Sequence, residues 1–349
     1  MSSVALAKPA CRRTGSYPAL LFGLFLLALT GSLLGLLDGD VEIGAARLLA
    51  AFTGDRTPSA EITRTILLEI RLPRVLMAVL VGASLGGAGA VLQGYLRNPL
   101  AEPGLIGVSA GASCGAAATI VAGAPAFSML ALPVAGLAGS LAAVLIVMWL
   151  NRECATSTGL ILSGIAVTSF FGALTALTVN LSPNPYAAVE IIFWMFGSLT
   201  DRSLEHFLLS AALAVPGIVI LLRTGRALDA LALGEEAAIN LGVDLRRLWL
   251  QTLAGTALAV GAVTSITGTI GFVGLMVPHI LRPMVSHRPS RLLPASMIGG
   301  AALVLFADLF ARNAPTGSEL NLGVVTALVG APFFFLLVLR NRRGDTSWV

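Results

Sequence analysis

From Tyr17 to Leu37 the chain runs without a single charged residue, and comparable stretches recur along its length. An uncharged run of about 20 residues, wound as a helix, matches a hydrocarbon core roughly 30 Å thick. Helices suit that medium because each satisfies its own backbone hydrogen bonds. Only 11% of the 349 residues are charged, while 56% are hydrophobic. A water-soluble domain of this size would be covered by one continuous apolar patch. The expected fold is therefore an all-α polytopic membrane protein.

Charge-free stretches outline the crossings. After Tyr17–Leu37 comes a polar segment, Asp38 to Arg74, then Val75–Leu96. The run Pro103–Asn151 is too long for one crossing, and Gly123-Ala124-Pro125 divides it as a turn. Cys154–Val189 is also long, with Ser182-Pro183-Asn184-Pro185 ending its helix. His206–Leu222 follows. Leu248–Leu281 is broken by Gly268, Gly271 and Gly274 into a long and a short helix. Leu292–Ala311 and Leu320–Leu339 complete about ten spans by length. Lys8, Arg12 and Arg13 precede the first apolar run, which is longer than the core of a cleaved signal peptide, so a retained first span is expected.

The net charge of +4 comes from arginine, since Lys8 is the single lysine. In a membrane chain such an excess reports topology, and no nucleic-acid partner is expected. With ten spans and both termini in the cytoplasm, Arg223 and Arg226, Arg246 and Arg247, Arg288 and Arg291, and Arg340, Arg342 and Arg343 all face inward. An odd number of spans would scatter these clusters. Gly82 and Gly86, and Gly107 and Gly111, are each four apart, a spacing that lets helix backbones touch. Gly104-Leu105-Ile106-Gly107-Val108 and Gly268-Thr269-Ile270-Gly271-Phe272 open spans from opposite sides, as an inverted repeat would.

Several chemistries are excluded or disfavoured. Nothing around Lys8 resembles the glycine loop that cradles nucleotide phosphates. Cys11, Cys114 and Cys154 are isolated, and His206, His279 and His287 are scattered, so no metal site is expected. Glu102, Glu153 and Asp201 form no local catalytic pair. An ion-coupled secondary transporter, the alternative from another class, keeps ionisable groups inside its spans. Here only Asp308 lies clearly within one, four residues before Arg312, where a helix allows the two to pair. A passive channel would have no use for the segment Arg223–Arg247, whose Leu231, Leu233, Ala237, Ala238 and Leu241 are apolar in a water-facing region. Two short helices joined at Gly234-Glu235 are expected there, either as a docking knob for a cytoplasmic partner or lying on the membrane surface.

At this point longer blocks become recognisable. Arg71-Leu72-Pro73-Arg74, Val81-Gly82-Ala83-Ser84-Leu85, and Gln93-Gly94-Tyr95-Leu96-Arg97-Asn98-Pro99-Leu100-Ala101-Glu102-Pro103-Gly104 closely resemble the FecCD-type permeases. These are the membrane subunits of type II ATP-binding cassette importers for haem, ferric siderophores or vitamin B12. Ala232-Leu233-Gly234-Glu235 with Leu241-Gly242 is similar to the family's coupling helices. The stretch Gly268 to Arg282 and the blocks Asn321 to Thr326 and Gly330-Ala331-Pro332 continue the resemblance in order, over most of the chain.

The resemblance implies a single permease domain over residues 1–349 with ten spans: a cytoplasmic tail at 1–16, a periplasmic loop at 38–74, and coupling helices at 229–242. It implies a homodimer in the bacterial inner membrane, in contact with lipid, with two cytoplasmic ATPase subunits and a periplasmic substrate-binding protein. Leu231, Leu233, Gly234, Glu235, Glu236, Leu241 and Gly242 would engage the ATPase. Arg71, Arg74 and Arg312 would meet acidic residues of the binding protein, membrane-interface anchoring being their other reading. Asn98, Leu100, Ser157 and Thr158 would form the cytoplasmic gate, although small polar residues also simply begin helices. The chain itself would bind no cofactor and be no enzyme, ATP and magnesium belonging to the partner. Overall resemblance leans towards haem as substrate, with siderophores and B12 as alternatives.

Overall fold

The computed structural model describes residues 16–39, 41, 57–123, 128, 130–152, 157–315 and 319–342, and every regular element among them is a helix. The expected tail before Ser16, most of the segment between Val41 and Thr57, the turn residues Ala124 and Pro125, and Cys154 and Arg343 lie outside the described residues. Among the described residues, seven helices are long and apolar enough to cross a membrane. They are α1 (Tyr17–Leu37), the continuous helix Pro58–Tyr95, α5 (Ala131–Leu150), α6 (Ser157–Asn180), α8 (Leu204–Arg223), α11 (Leu245–Thr267) and α13 (Pro289–Asn313). The other three expected crossings fall on the shorter apolar stretches Val108–Val121 (α4), Val273–Val285, which opens with α12 (Val273–Leu281), and Leu322–Leu336 of α14 (Leu322–Arg342). The end of the bundle that carries Arg97 and Arg223 is called the inner end below.

Two segments differ from expectation. The stretch from Asp38 to Arg74, expected as a polar loop, is helical from Pro58 onward. There α2 (Pro58–Thr65) runs through a π-helical turn (Ile66–Arg71) into α3 (Leu72–Tyr95). Proline inside a helix has no N–H to donate and crowds the preceding turn. The widened turn sits directly before Pro73 and carries the helix past it. The second difference is α7 (Pro185–Met195), a short apolar helix beyond the expected helix end at Ser182-Pro183-Asn184-Pro185, where no separate helix is expected. Asn184 starts it by accepting from the Tyr186 amide, and Pro185 fills the first helical position, where no N–H is needed.

The segment Arg223–Arg247 folds as the glycine punctuation predicts, into α9 (Gly225–Leu231) and α10 (Glu235–Asn240). Gly234 adopts φ +112° and Gly242 φ +83°, conformations that residues with a Cβ rarely take. Neither glycine has a neighbour within 4 Å of where a Cβ would stand, so backbone shape, not space, requires them.

At the centre stands α3, 83% of whose apolar window is buried, against 11% for α1 on the periphery. Lipid is as apolar as any side chain, so helices here gain from close van der Waals contact rather than from escaping water. Small residues permit that closeness. A Cβ on Gly82 would lie 2.2 Å from the Gly300 carbonyl oxygen of α13, and one on Gly86 would lie 2.1 Å from that of Ser296. Gly111 of α4 meets Gly139 of α5 in the same way, at 2.2 Å. The expected helix crossings at these glycines are present. Around α3 and α13 pack α1, α11 and α12, while α4, α5 and α6 form a second group joined through α11.

The α3–α13 seam gives a direct test. Gly82→Ala and Gly300→Ala should each lower stability by about 1–3 kcal/mol through overpacking, read as a fall in the thermal unfolding midpoint in detergent. Gly172→Ala, whose methyl would meet nothing within 4 Å inside α6, should not lower the midpoint.

Candidate functional site

The residues singled out from sequence fall at the two ends of the bundle. At the outer end, α3 and α13 each bring arginine to one buried carboxylate. Arg74 donates to Asp308 from Nε and Nη2, the shorter contact being 2.9 Å. Arg312, one helical turn on from Asp308, donates to the same carboxylate from Nε at 2.9 Å and from Nη2. Arg312 also reaches the Gly35 carbonyl of α1 at 3.2 Å. Asp308 is only 3% exposed, so its oxygens depend on these arginines for hydrogen bonds. The other face of Arg74 holds Glu319 at 2.9 Å, and Glu319 accepts from the Thr200 hydroxyl at 2.8 Å. Two arginines and two carboxylates thus form a neutral knot linking α3, α13 and the loops around Thr200 and Glu319. Burial raises the Glu319 pKa, but the bonds from Arg74 and Thr200 and the charges of Arg74 and Arg312 outweigh it and hold the group below its usual range.

Arg71 is placed differently. It is buried, and its guanidinium donates to the carbonyls of Leu36 and Leu37 at 2.9 and 2.7 Å and to that of Val41 at 2.6 Å. A cation closing the last carbonyls of α1 answers both their missing partners and the negative end of the helix dipole. All three arginines therefore already have partners within the chain. The i,i+4 pairing of Asp308 with Arg312 is as the sequence spacing suggests; the contributions of Arg74 and Glu319 come from remote segments and are additional.

At the inner end, Glu235 opens α10 and bonds Arg97 at 3.1 Å, with both side chains about half exposed. Leu233 and Leu241 are exposed at 71% and 65%, flanking the knob, whereas Leu231 is buried and anchors it. Glu236 is exposed beside Glu235. The decisive anchor was not singled out from sequence: Asp229 accepts from the Ser290 amide at 2.8 Å and from its hydroxyl, and so caps the start of α13. Helices α9 and α10 thereby sit on the inner end of the helix whose outer end carries Asp308 and Arg312.

The expected gate residues lie at the inner end too. Asn98 accepts from the Leu100 amide at 2.9 Å, which shapes the turn after α3, and Leu100 is 40% exposed. Ser157 and Thr158 begin α6. No bond joins the two pairs among the described residues. Deeper in, the fully buried Gln93 donates to the carbonyls of Gly274 and Leu275 and accepts from Arg282 at 2.7 Å, tying α3 to α12.

The two glycine blocks that echo each other meet inside the protein. Gly107 at φ +82° opens α4, and Phe272 at φ +65° opens α12. Both loops line one cavity of about 180 Å³, with Glu102 on its wall. Beside it, a second cavity of about 560 Å³ is lined by Phe196, Phe272, Val324, Leu328 and Pro332 among others, and none of its lining among the described residues is charged. Paired half-helices around a central cavity are an arrangement found where transporters pass substrate.

Residues 25–340 match the model of the FecCD transport family. The chain belongs to the FecCD transport family. It is 36% identical to the hemin transport system permease protein HmuU of Yersinia pestis over 329 residues, covering 93% of this chain and 97% of that one. It is 39% identical to the vitamin B12 import system permease protein BtuC of Vibrio cholerae over 283 residues, covering 81% and 85%. Among solved structures, one of a metal-chelate type ABC transporter in an inward-facing conformation superposes with a TM-score of 0.82 at 32% identity, covering 93% of this chain and all of that one. As a FecCD permease the chain is the membrane subunit of an ATP-binding cassette importer; it is a transport subunit, and ATP hydrolysis falls to a partner ATPase.

Removing a single partner should expose how the outer knot is built. Asp308→Asn leaves two arginines facing each other in a buried setting and should cost about 3–5 kcal/mol. Glu319→Gln, at a part-exposed position, should cost less than about 1 kcal/mol. Both are measured by thermal unfolding in detergent. Because the Glu319 pKa is lowered on folding, its contribution is present at neutral pH and is lost only as pH falls through that lowered value.

Proposed function

We propose that this permease carries haem, with ferric siderophores and vitamin B12 as the other candidates. The observation that carries the choice is the uncharged cavity of about 560 Å³ beside the paired half-helices, walled by aromatic and aliphatic groups. The flat porphyrin face of haem loses little on leaving water for such a surface, whereas the amide-fringed ring of a corrinoid would leave hydrogen bonds unmade. The hemin permease relative, matched over 97% of its length, is consistent with that reading.

The proposed assembly is a homodimer in the bacterial inner membrane, termini in the cytoplasm, with two ATPase subunits and a periplasmic binding protein. Leu233, Leu241, Glu235 and Glu236 form the surface offered to the ATPase; Leu231, Gly234 and Gly242 give it its shape. Acidic groups of the binding protein approach Arg74 and Arg312 over the outer knot, while the buried Arg71 secures the end of α1 beneath. Asn98, Leu100, Ser157 and Thr158 narrow the inner mouth.

The mechanism we infer uses α13 as the connecting rod. At 1.5 Å per residue, its 25 residues span about 37 Å. Asp229 fixes its inner end to the coupling helices and Asp308 fixes its outer end to α3. When the ATPases close on nucleotide they push α9 and α10. The push passes along α13 to the outer arginines and across the glycine seam to α3, and the two subunits rock.

The test is reconstitution of the chain with its ATPase and binding protein in liposomes. ATP-dependent uptake of haem should exceed that of ferric siderophore and cobalamin. Equal or greater uptake of either alternative would transfer the assignment to it. Charge reversal at Glu235 should break the Arg97 bond and reduce ATP-driven uptake at least tenfold; unchanged uptake with normal ATPase assembly would remove the coupling role.

A further inference from the structure

A groove of about 410 Å³ opens at the inner end of the bundle, where α8 ends, α9 passes and α11 begins. We propose that it holds the phosphate-bearing headgroup of an anionic membrane lipid. Charge is the first reason. Arg223, the last residue of α8, Arg226 of α9 and Arg247 of α11 all line the groove, and all three are exposed. None of them stands in an ion pair among the described residues. Asp244 is the one acid on the same wall, and it accepts from the Arg247 amide at 3.0 Å. Three cations against one anion leave two positive charges in excess. Asp229, one turn along α9 from Arg226, is off the wall, and its two oxygens are taken by Ser290. Guanidinium groups present several N–H donors in one plane, a geometry that suits phosphate oxygens.

Position decides what kind of anion it takes. Helices α8 and α11 are both crossings, and the groove lies where the two leave the apolar layer, which is the depth of lipid headgroups. Leu208, Val215, Val219 and Leu222 are exposed on one face of α8, and this stripe runs out at Arg223. Acyl chains lying along the stripe would deliver their phosphate to the arginines at its end. The volume is that of a small-molecule site. Clustered arginines beside a membrane attract acidic headgroups in the same way. The opposite wall is Leu241, Gly242 and Val243, the link from α10 to α11. A headgroup seated here would therefore brace the segment that carries α9 and α10 against the bilayer.

A free phosphate would share this chemistry, and an acidic segment of the ATPase would share the charge, so the experiment separates all three. The full-length chain is purified in detergent and mixed with equal amounts of phosphatidylglycerol and phosphatidylcholine, and retained lipid is counted by native mass spectrometry. Phosphatidylglycerol should be retained at least fivefold over phosphatidylcholine. Arg226→Gln and Arg247→Gln should each lower that retention about fivefold, the effect of one arginine near an acidic surface. Arg64→Gln removes the same charge from an exposed position in α2, at the outer end, and should leave retention unchanged. All three side chains are exposed, so the variants should fold. Equal retention of both lipids, or equal losses from Arg64→Gln and the groove variants, overturns the site. Millimolar inorganic phosphate that displaces the lipid assigns the groove to a soluble anion and overturns the lipid. Groove variants that keep their lipid but no longer co-purify with the ATPase give the groove to that partner, and overturn the lipid as well. The lipid count needs neither ATPase nor substrate, so failure of haem uptake would leave it standing, and the reverse.

Discussion

Backbone touching backbone between α3 and α13 is the contact on which the remainder of the structure depends. In lipid there is no hydrophobic force to press helices together, and only close approach supplies cohesion. Gly82, Gly86 and Gly300 remove every atom that would keep the two axes apart. That closeness aligns Arg74 of one helix with Asp308 of the other at the outer end. It also holds the two inner ends side by side, so that the coupling segment resting on Ser290 lies beside Arg97. Were the axes moved apart by a side chain, the ion pairs at both ends would lose their geometry together.

The outer knot shows how a bundle keeps charge at its rim. Its two arginines and two carboxylates cancel, and each has several hydrogen-bond partners, so burial does not leave an ion uncompensated. Arg71 is held in a different way, by three carbonyls around the end of α1. The same arginines thus have structural work whatever approaches from outside. Any acidic partner meets a surface whose cations are already oriented, and exchange of bonds at the part-exposed Glu319 disturbs less than exchange at the buried Asp308.

Much of the fold was legible because lipid imposes a simple rule: spans must be long and uncharged. The rule worked where a helix crosses alone and weakened where a crossing is shared between a half-helix and a loop, as at Val108–Val121 and Val273–Leu281. The start of the second crossing was drawn too late because Glu61, Arg64, Glu69, Arg71 and Arg74 make that stretch polar, yet a π turn carries one helix through it. Helix α7 was missed because Asn184-Pro185 reads equally as a turn and as a cap. At the sites, Asp308 and Arg312 could be paired from their spacing. Asp229 and Gln93 could not, since a lone polar residue in sequence does not show which distant amide or carbonyl it meets. Leu231 and Leu233 look alike in the sequence, yet one anchors the knob and the other faces out.

The half-helices carry a consequence for motion. Since α4 and α12 each begin partway through the bundle, the depth they leave uncovered is filled by glycine-bearing loops that wall a cavity. A full-length helix can shift there only by tilting as a whole, dragging both its ends. A loop can swing on a few bonds and return while its helix stays formed. Among the described residues, two non-helical loops therefore lie at mid-depth with helices packed around them.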